Sequence, residues 1–407
     1  MASTADFPAA GGIAGPLAGA AASPAAAAAT RSRIASIDVM RGLVILLMLV
    51  DHVREAIYLH RQVSDPMDVD SIEPTLFFTR LAAHLCAPTF VFLTGLGAWL
   101  YAHPASGEPR SPAGFLIKRG LLLILLELTV INFAWAGDMP PKTLWLQVIW
   151  AIGISMVALG MLSGLPRWLL GALGLTIVFG HNLLTPISFP PGHPLFAIWT
   201  ILHERAFLVP EGALKVKVTY PVLPWIGVIL VGYFAGPIWS RMVSSERRTR
   251  TLVALGLGCL ALLLVLRGFN LYGETLPWTT RADAIHTVMD FLNYTKYPPS
   301  LNFLLFTLGI ALLLLARFEG RDGPLLRAVG EIGGAPMFFY ILHLYVLLVL
   351  QRIAVATLGA NHGERWGVDH VYWIWFGAVV LATLLYFPTR AFGRYKRRTT
   401  RGWVKYF

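Results

Sequence analysis

Apolar runs close to the roughly 20 residues a helix needs to cross a hydrocarbon layer recur along the whole chain. They predict helices over 38–58, 77–101, 115–135, 144–162 and 166–184, and again over 221–240, 249–267, 298–316, 334–356 and 369–388. None alternates with the period of two that a membrane β-barrel requires. The expected fold is therefore an all-α, polytopic transmembrane helix bundle of ten spans. The stretch 194–210 is apolar too, but His203, Glu204 and Arg205 interrupt it. It reads as a re-entrant or interfacial helix, or as an eleventh span.

Composition agrees with that reading. Of the 407 residues 56% are hydrophobic and only 14% charged, which excludes an ordinary water-soluble enzyme and a disordered scaffold. The formal charge is +11. The basic residues gather between apolar runs on alternate sides, where they act as topology signals rather than as a nucleic-acid surface. Counting them places both termini in the cytoplasm. The long outward loops 59–76, 185–220 and 268–297 are then the segments suited to meeting a substrate. Residues 1–32, almost all Ala, Gly, Pro and Ser, read as a disordered tail without the basic start of a signal peptide. Residues 33–390 form the membrane domain, and 391–407 a basic cytoplasmic tail. Cys86 and Cys259 each sit inside an apolar run, and no zinc-type spacing is present, so no metal is expected. The sequence leaves the oligomeric state open; a homodimer, the commonest assembly, is the expectation.

Ionisable groups inside membrane helices are costly unless paired or wetted, so they mark candidate chemistry. In the first helix Asp38 and Arg41 are three residues apart and suited to pair. Arg41 and His52 are eleven apart, almost three whole turns, so both point the same way about 16 Å apart along the axis. An arginine near the cytoplasmic boundary suits a phosphate, and an imidazole deeper in suits a general base. Asp51, a little over a quarter-turn round from His52, orients it only with help from another helix, and otherwise pairs with Arg54 or a neighbour. Arg80 and His84 share a face ahead of Pro88, which kinks or breaks its helix. Glu127 lies well inside the third helix and must be neutral, paired or wet. Lys296 stands at the entrance of the eighth helix, whose first turn Pro298 and Pro299 favour. Tyr340 and His343 share a face of the ninth. Each also has a plain reading, as a boundary pair, a snorkelling lysine or a histidine bonded to the backbone. The buried charges suit a membrane enzyme or, alternatively, a transporter or permease for an anionic metabolite.

Several stretches together carry a resemblance: Ser36-Ile37-Asp38-Val39-Met40-Arg41-Gly42 with Asp51-His52, Pro88 to Gly95, Tyr220 to Gly227, Lys296 to Ser300, and Phe338 to His343. The chain resembles the heparan-alpha-glucosaminide N-acetyltransferase catalytic-domain family, in its bacterial membrane form. The resemblance implies an acetyl-CoA-dependent acyltransferase of the cytoplasmic (inner) membrane. It would move an acetyl group from cytoplasmic acetyl-CoA to an amine or hydroxyl of a sugar or glycan on the far side, among membrane lipids. Arg41 with Asp38 would serve the donor, and His52, with Asp51, the chemistry. Arg80, His84, Glu127, Lys296, Tyr340 and His343 would line the shared cavity. Arginine, ten residues, then histidine also resembles the pattern of membrane O-acyltransferases. Family members that place the catalytic histidine in the first outer loop point instead to His60.

Overall fold

A computed structural model describes residues 24–406 apart from 106 and 139, with the backbone alone for 24–34 and 405. Of the tail expected over 1–32, residues 1–23 lie outside the described ones. The chain is mostly helical. In order come α1 (Pro24–Ile57), α2 (Pro74–Ala83), α3 (Cys86–Ala102), α4 (Ala113–Leu126), a π-turn (Glu127–Ile131), α5 (Asn132–Ala136), β1 (Thr143–Leu146), α6 (Val148–Leu162) and α7 (Arg167–Gly180). There follow α8 (Phe196–Leu202), β2 (Phe207–Val209), β3 (Lys215–Val218), α9 (Leu223–Phe234), α10 (Ser245–Gly268), α11 (Ala284–Phe291), α12 (Leu301–Phe318), α13 (Pro324–Gly333), α14 (Pro336–Leu358) and α15 (Tyr372–Arg398).

Among the described residues six helical segments are long and apolar enough to cross a membrane: Pro74–Ala102, Arg167–Leu184, Ser245–Gly268, Leu301–Phe318, Pro336–Leu358 and Tyr372–Arg398. Val148–Leu162 and Leu223–Phe234 are apolar but shorter. Helices α7, α10, α14 and α15 turn bare leucines, valines and aromatics outward, as a lipid-facing belt requires. α1 fails the apolarity test because of Asp38, Arg41, Asp51, His52, Arg54 and Glu55. It nevertheless packs against α2, α3, α12, α13, α14 and α15, so its polar groups are turned into protein. Helix pairs α3–α9, α4–α6, α7–α9 and α10–α12 make the other extensive packings, and α3 and α12 link two of them to α1.

The structure corrects four expectations. First, the fold is not purely helical: a three-stranded sheet ordered β1-β3-β2 ties distant loops, with Thr143 to Leu146 parallel to Lys215 to Val218 and β2 antiparallel to β3. The alternating Lys215-Val216-Lys217-Val218 is the strand signal within the outward loop 185–220. Second, 194–210 is not an eleventh span, since α8 is seven residues, about 10 Å long. Third, α12 begins at Leu301, after the two prolines, and is capped by Ser300, whose Oγ accepts from the Phe303 N–H at 3.0 Å. Fourth, α13 lies against α1 where only a connection was expected. The two backbones touch: a methyl group on Gly42 would meet the Val329 carbonyl at 1.9 Å, and one on Gly333 the Asp38 carbonyl at 1.9 Å. Gly330 to Gly334 is thus a helix-crossing surface.

Candidate functional site

The α1 stripe faces one long cavity of about 340 Å³. Arg41, Arg119 of α4 and Lys396 of α15 stand at one end, Tyr220 and Lys296 at the other, and His52 between. The walls in between are apolar, from Phe90, Leu93, Ile152 and their neighbours. Arg41 is held by Asp38, Nη1 to Oδ1 at 3.1 Å, as the spacing predicted. The Nε of Arg119 is buried and without a hydrogen-bond partner. Three neighbouring cations, of which Arg41 is paired with Asp38 and Arg119 keeps an orphaned donor, suit an anionic group such as phosphate.

His52 also lines a second cavity, of about 240 Å³, shared with Glu55, Trp135, Asp138, Gln351 and Glu364. The imidazole is therefore part of the wall between two chambers. Tyr340, from the first chamber, and Trp135, from the second, meet the ring edge-on at 5.8 and 5.0 Å. Its Nδ1 is 2.7 Å from Nε2 of His343, and Nδ1 of His343 is 2.8 Å from the Phe339 carbonyl oxygen. That carbonyl can only accept, so Nδ1 of His343 carries the hydrogen. In a neutral His343, Nε2 is then the acceptor, and Nδ1 of His52 must donate to it. The tautomer of His52 follows: its Nε2 bears the lone pair. A backbone carbonyl thus fixes, through two imidazoles, a free base in the partition.

The remaining candidates stand mostly behind this wall. Asp51 lines the first cavity, but its carboxylate is taken by Arg80 (Nη1 at 2.8 and 3.0 Å) and by Nε of Arg54 at 3.0 Å. The neighbour on another helix thus wins it from His52, and Arg80 is a partner to Asp51, not a lining residue. Such a pair is held in place because a lone buried charge would cost several kcal/mol, about 3–5. His84 packs against Phe303 with its ring centroid 5.1 Å away, outside both cavities. Glu127 starts the π-turn, and its Oε2 accepts the Trp150 N–H at 3.3 Å, at the first turn of α6. That helix end holds one carboxyl oxygen; Oε1 is buried without a hydrogen-bond partner among the described residues, and Glu127 lines neither cavity. His343 is bonded to His52 and lines neither cavity. Tyr340 and Lys296 do line the first.

Lys296 is 4% exposed and forms no ion pair among the described residues; its Nζ lies 5.2 Å from the centre of the Tyr297 ring. Asp65 fixes this segment by accepting from the Lys296 N–H at 3.1 Å and the Tyr297 N–H at 2.9 Å. Burial lifts the Asp65 carboxyl above its usual range, against the pull of these N–H groups. Tyr297 in turn donates to Tyr220, Oη to Oη at 3.3 Å. His60 is not at this site: it stands in the loop beyond α1, stacked on His362.

The family described as "Heparan-alpha-glucosaminide N-acetyltransferase, catalytic" matches residues 33–266, more than half of the chain. The chain belongs to this family. No curated protein matches it. Membership makes the protein a membrane acetyltransferase in class, and the matched region contains the α1 stripe and the α2–α3 pair. Tyr340, Lys296 and Lys396 lie beyond it, and the fold brings them to the same chamber, with His343, also beyond it, bonded to His52.

Sequence reasoning missed Glu55, Trp135, Gln351 and Glu364, which build the second chamber around His52. Glu55 had a signal: it is one turn beyond His52 on α1. Trp135 and Gln351 had none that separates them from an interfacial aromatic and a wet helix end.

Proposed function

We propose that the protein transfers an acetyl group from cytoplasmic acetyl-CoA to an amine or hydroxyl of a sugar or glycan across the membrane. The reading is carried by one observation: His52 belongs to the wall of both chambers. The donor would enter from the end bearing Arg41, Arg119 and Lys396, which would hold its phosphates, with its long arm along the apolar stretch. Acetyl-CoA supplies an activated thioester acetyl group. The acceptor would sit in the second chamber, where an aromatic face, an amide and carboxylates suit a polyhydroxylated ring. The Nε2 of His52 would take the acceptor's proton as its amine or hydroxyl attacks the thioester carbonyl, and would pass that proton to the CoA thiolate that leaves as the carbon–sulfur bond breaks. His343 would keep that nitrogen unprotonated beforehand and stabilise the imidazolium that forms. Lys296 would offer positive charge at the far end of the donor cavity.

Ten crossings fit the structure: α1, α2–α3, α4–α5, α6, α7, α9, α10, α12, α14 and α15, with both termini cytoplasmic. Pairings between distant segments support this alternation. β1 with β3, His60 with His362, and Asp65 with Lys296 each join segments assigned outside. Ser36 and Arg248 with Glu319 join segments assigned inside.

The donor half of the reading is tested by binding. Acetyl-CoA should bind the purified protein in detergent, about tenfold or more weaker in Arg41→Ala and in Arg119→Ala, as expected for lost charge-assisted contacts. Unchanged affinity in both variants would place the donor elsewhere. Saturable uptake of an anionic solute by vesicles, with no acetyl-CoA turnover, would favour a permease instead.

A further inference from the structure

Outside the transfer site, three side chains from two distant segments meet at the surface. His60 follows α1, and His362 and Asp369 lie in the connection between α14 and α15. One ligand-capable atom of each lies within 4.8 Å of the other two. We propose that His60, His362 and Asp369 form a binding site for a divalent transition-metal ion of the zinc type. Zinc–ligand bonds of about 2.0–2.1 Å in a tetrahedron set ligand atoms about 3.3 Å apart. His362 Nε2 and Asp369 Oδ1 are already 3.2 Å apart, yet that nitrogen is buried with no well-directed hydrogen bond. The imidazoles of His60 and His362 are stacked 3.6 Å apart and nearly parallel, so protonating both would set two positive charges face to face. Ion binding would require the two stacked rings to tilt apart so that their in-plane lone pairs converge with the carboxylate oxygen on one ion, with water completing the shell.

The supporting loop is built rather than loose. Val368 N–H bonds the Ile57 carbonyl at 2.9 Å, fastening the connection to the end of α1. Asn361 and Gly367 exchange two hydrogen bonds, Oδ1 accepting at 2.7 Å and Nδ2 donating at 2.9 Å. A bound ion would lock the same loop that contributes Glu364 and Arg365 to the second chamber. The site stands on this geometry whether or not that chamber receives a sugar.

The test is a zinc titration of full-length, tag-free protein in detergent after chelator treatment, with cobalt as an optical probe. The expected result is saturable one-to-one binding with a tetrahedral cobalt spectrum. Both should be abolished in His362→Ala and in Asp369→Asn, and retained in His286→Ala, which breaks a different surface His–Asp pair. X-ray absorption at the zinc edge of the wild type needs no variant and should show nitrogen and oxygen neighbours with imidazole scattering. Absence of saturable binding, binding that survives both loop substitutions, or sulfur at the zinc edge would each overturn the site.

Discussion

A histidine works as a base only if the nitrogen facing the acceptor lacks a proton, and here that is decided two residues away. The Phe339 carbonyl sets His343, and His343 sets His52. His343→Ala should therefore lower kcat by about 10–100-fold, the equivalent of about 1–3 kcal/mol for a lost buried hydrogen bond. The KM for acetyl-CoA should hardly move, because Arg41 and Arg119 are untouched. His343→Gln, which keeps an acceptor, should recover part of the rate; equal loss in both variants would make His343 a packing residue. Asp51 and Arg80 predict a different phenotype. Arg80→Ala leaves a buried carboxylate with Arg54 alone, and should cost about 3–5 kcal/mol of stability in denaturant unfolding, with Asp51→Asn/Arg80→Ala less harmful than the sum of the single changes. The Arg41–His52 stripe was legible from helical periodicity alone. The His52–His343 bond was not, since 291 residues separate its members and no local pattern encodes which histidines meet.

Among the helices, the crossing of α1 and α13 sets where Arg41 stands. Gly42 and Gly333 let the two backbones meet, and an added methyl group at either must push a carbonyl aside. Gly42→Ala and Gly333→Ala should each lower stability by about 1–3 kcal/mol, read from thermal unfolding in detergent. Both should also weaken acetyl-CoA binding, as α13 shifts against Asp38 and Arg41. Wild-type stability in both would mean that the crossing can relax. Apolar run length revealed nearly every crossing helix. It could not reveal α13, which is too short to register as a span, nor the π-turn at Glu127, nor the sheet. Those depend on partners from elsewhere in the chain: α1 for α13, the first turn of α6 for Glu127, and β1 for β3. The break between α2 and α3 comes at His84 and Leu85, and Pro88 falls in the first turn of α3, the place where its missing N–H costs little.

At the scale of the molecule, the proposed transfer needs a direction, and the proposed topology, with basic segments on one side and ordered polar loops on the other, would supply it. A cysteine introduced at Thr399 should react with an impermeant thiol reagent only in inverted vesicles, and one at Thr279 only in right-side-out vesicles, with Cys86 and Cys259 replaced by alanine. Labelling of both from one side would break the ten-span alternation. Positive-inside counting is the basis of the proposed orientation, and the loop pairings are compatible with that alternation. What counting could not foretell is that α1, with its ionisable groups from Asp38 to Glu55, would pack against six other helices. Its polarity is the consequence of facing two chambers instead of lipid.

The most direct measurement is acetyl transfer in sealed proteoliposomes, with labelled acetyl-CoA on the face bearing the basic tail and an amino sugar on the other. Wild-type protein should deliver label to the sugar across the bilayer. His52→Ala should reduce that delivery by about 10²–10⁴-fold while still binding acetyl-CoA. Undiminished transfer by His52→Ala would contradict the assignment of this imidazole to the reaction between the two chambers.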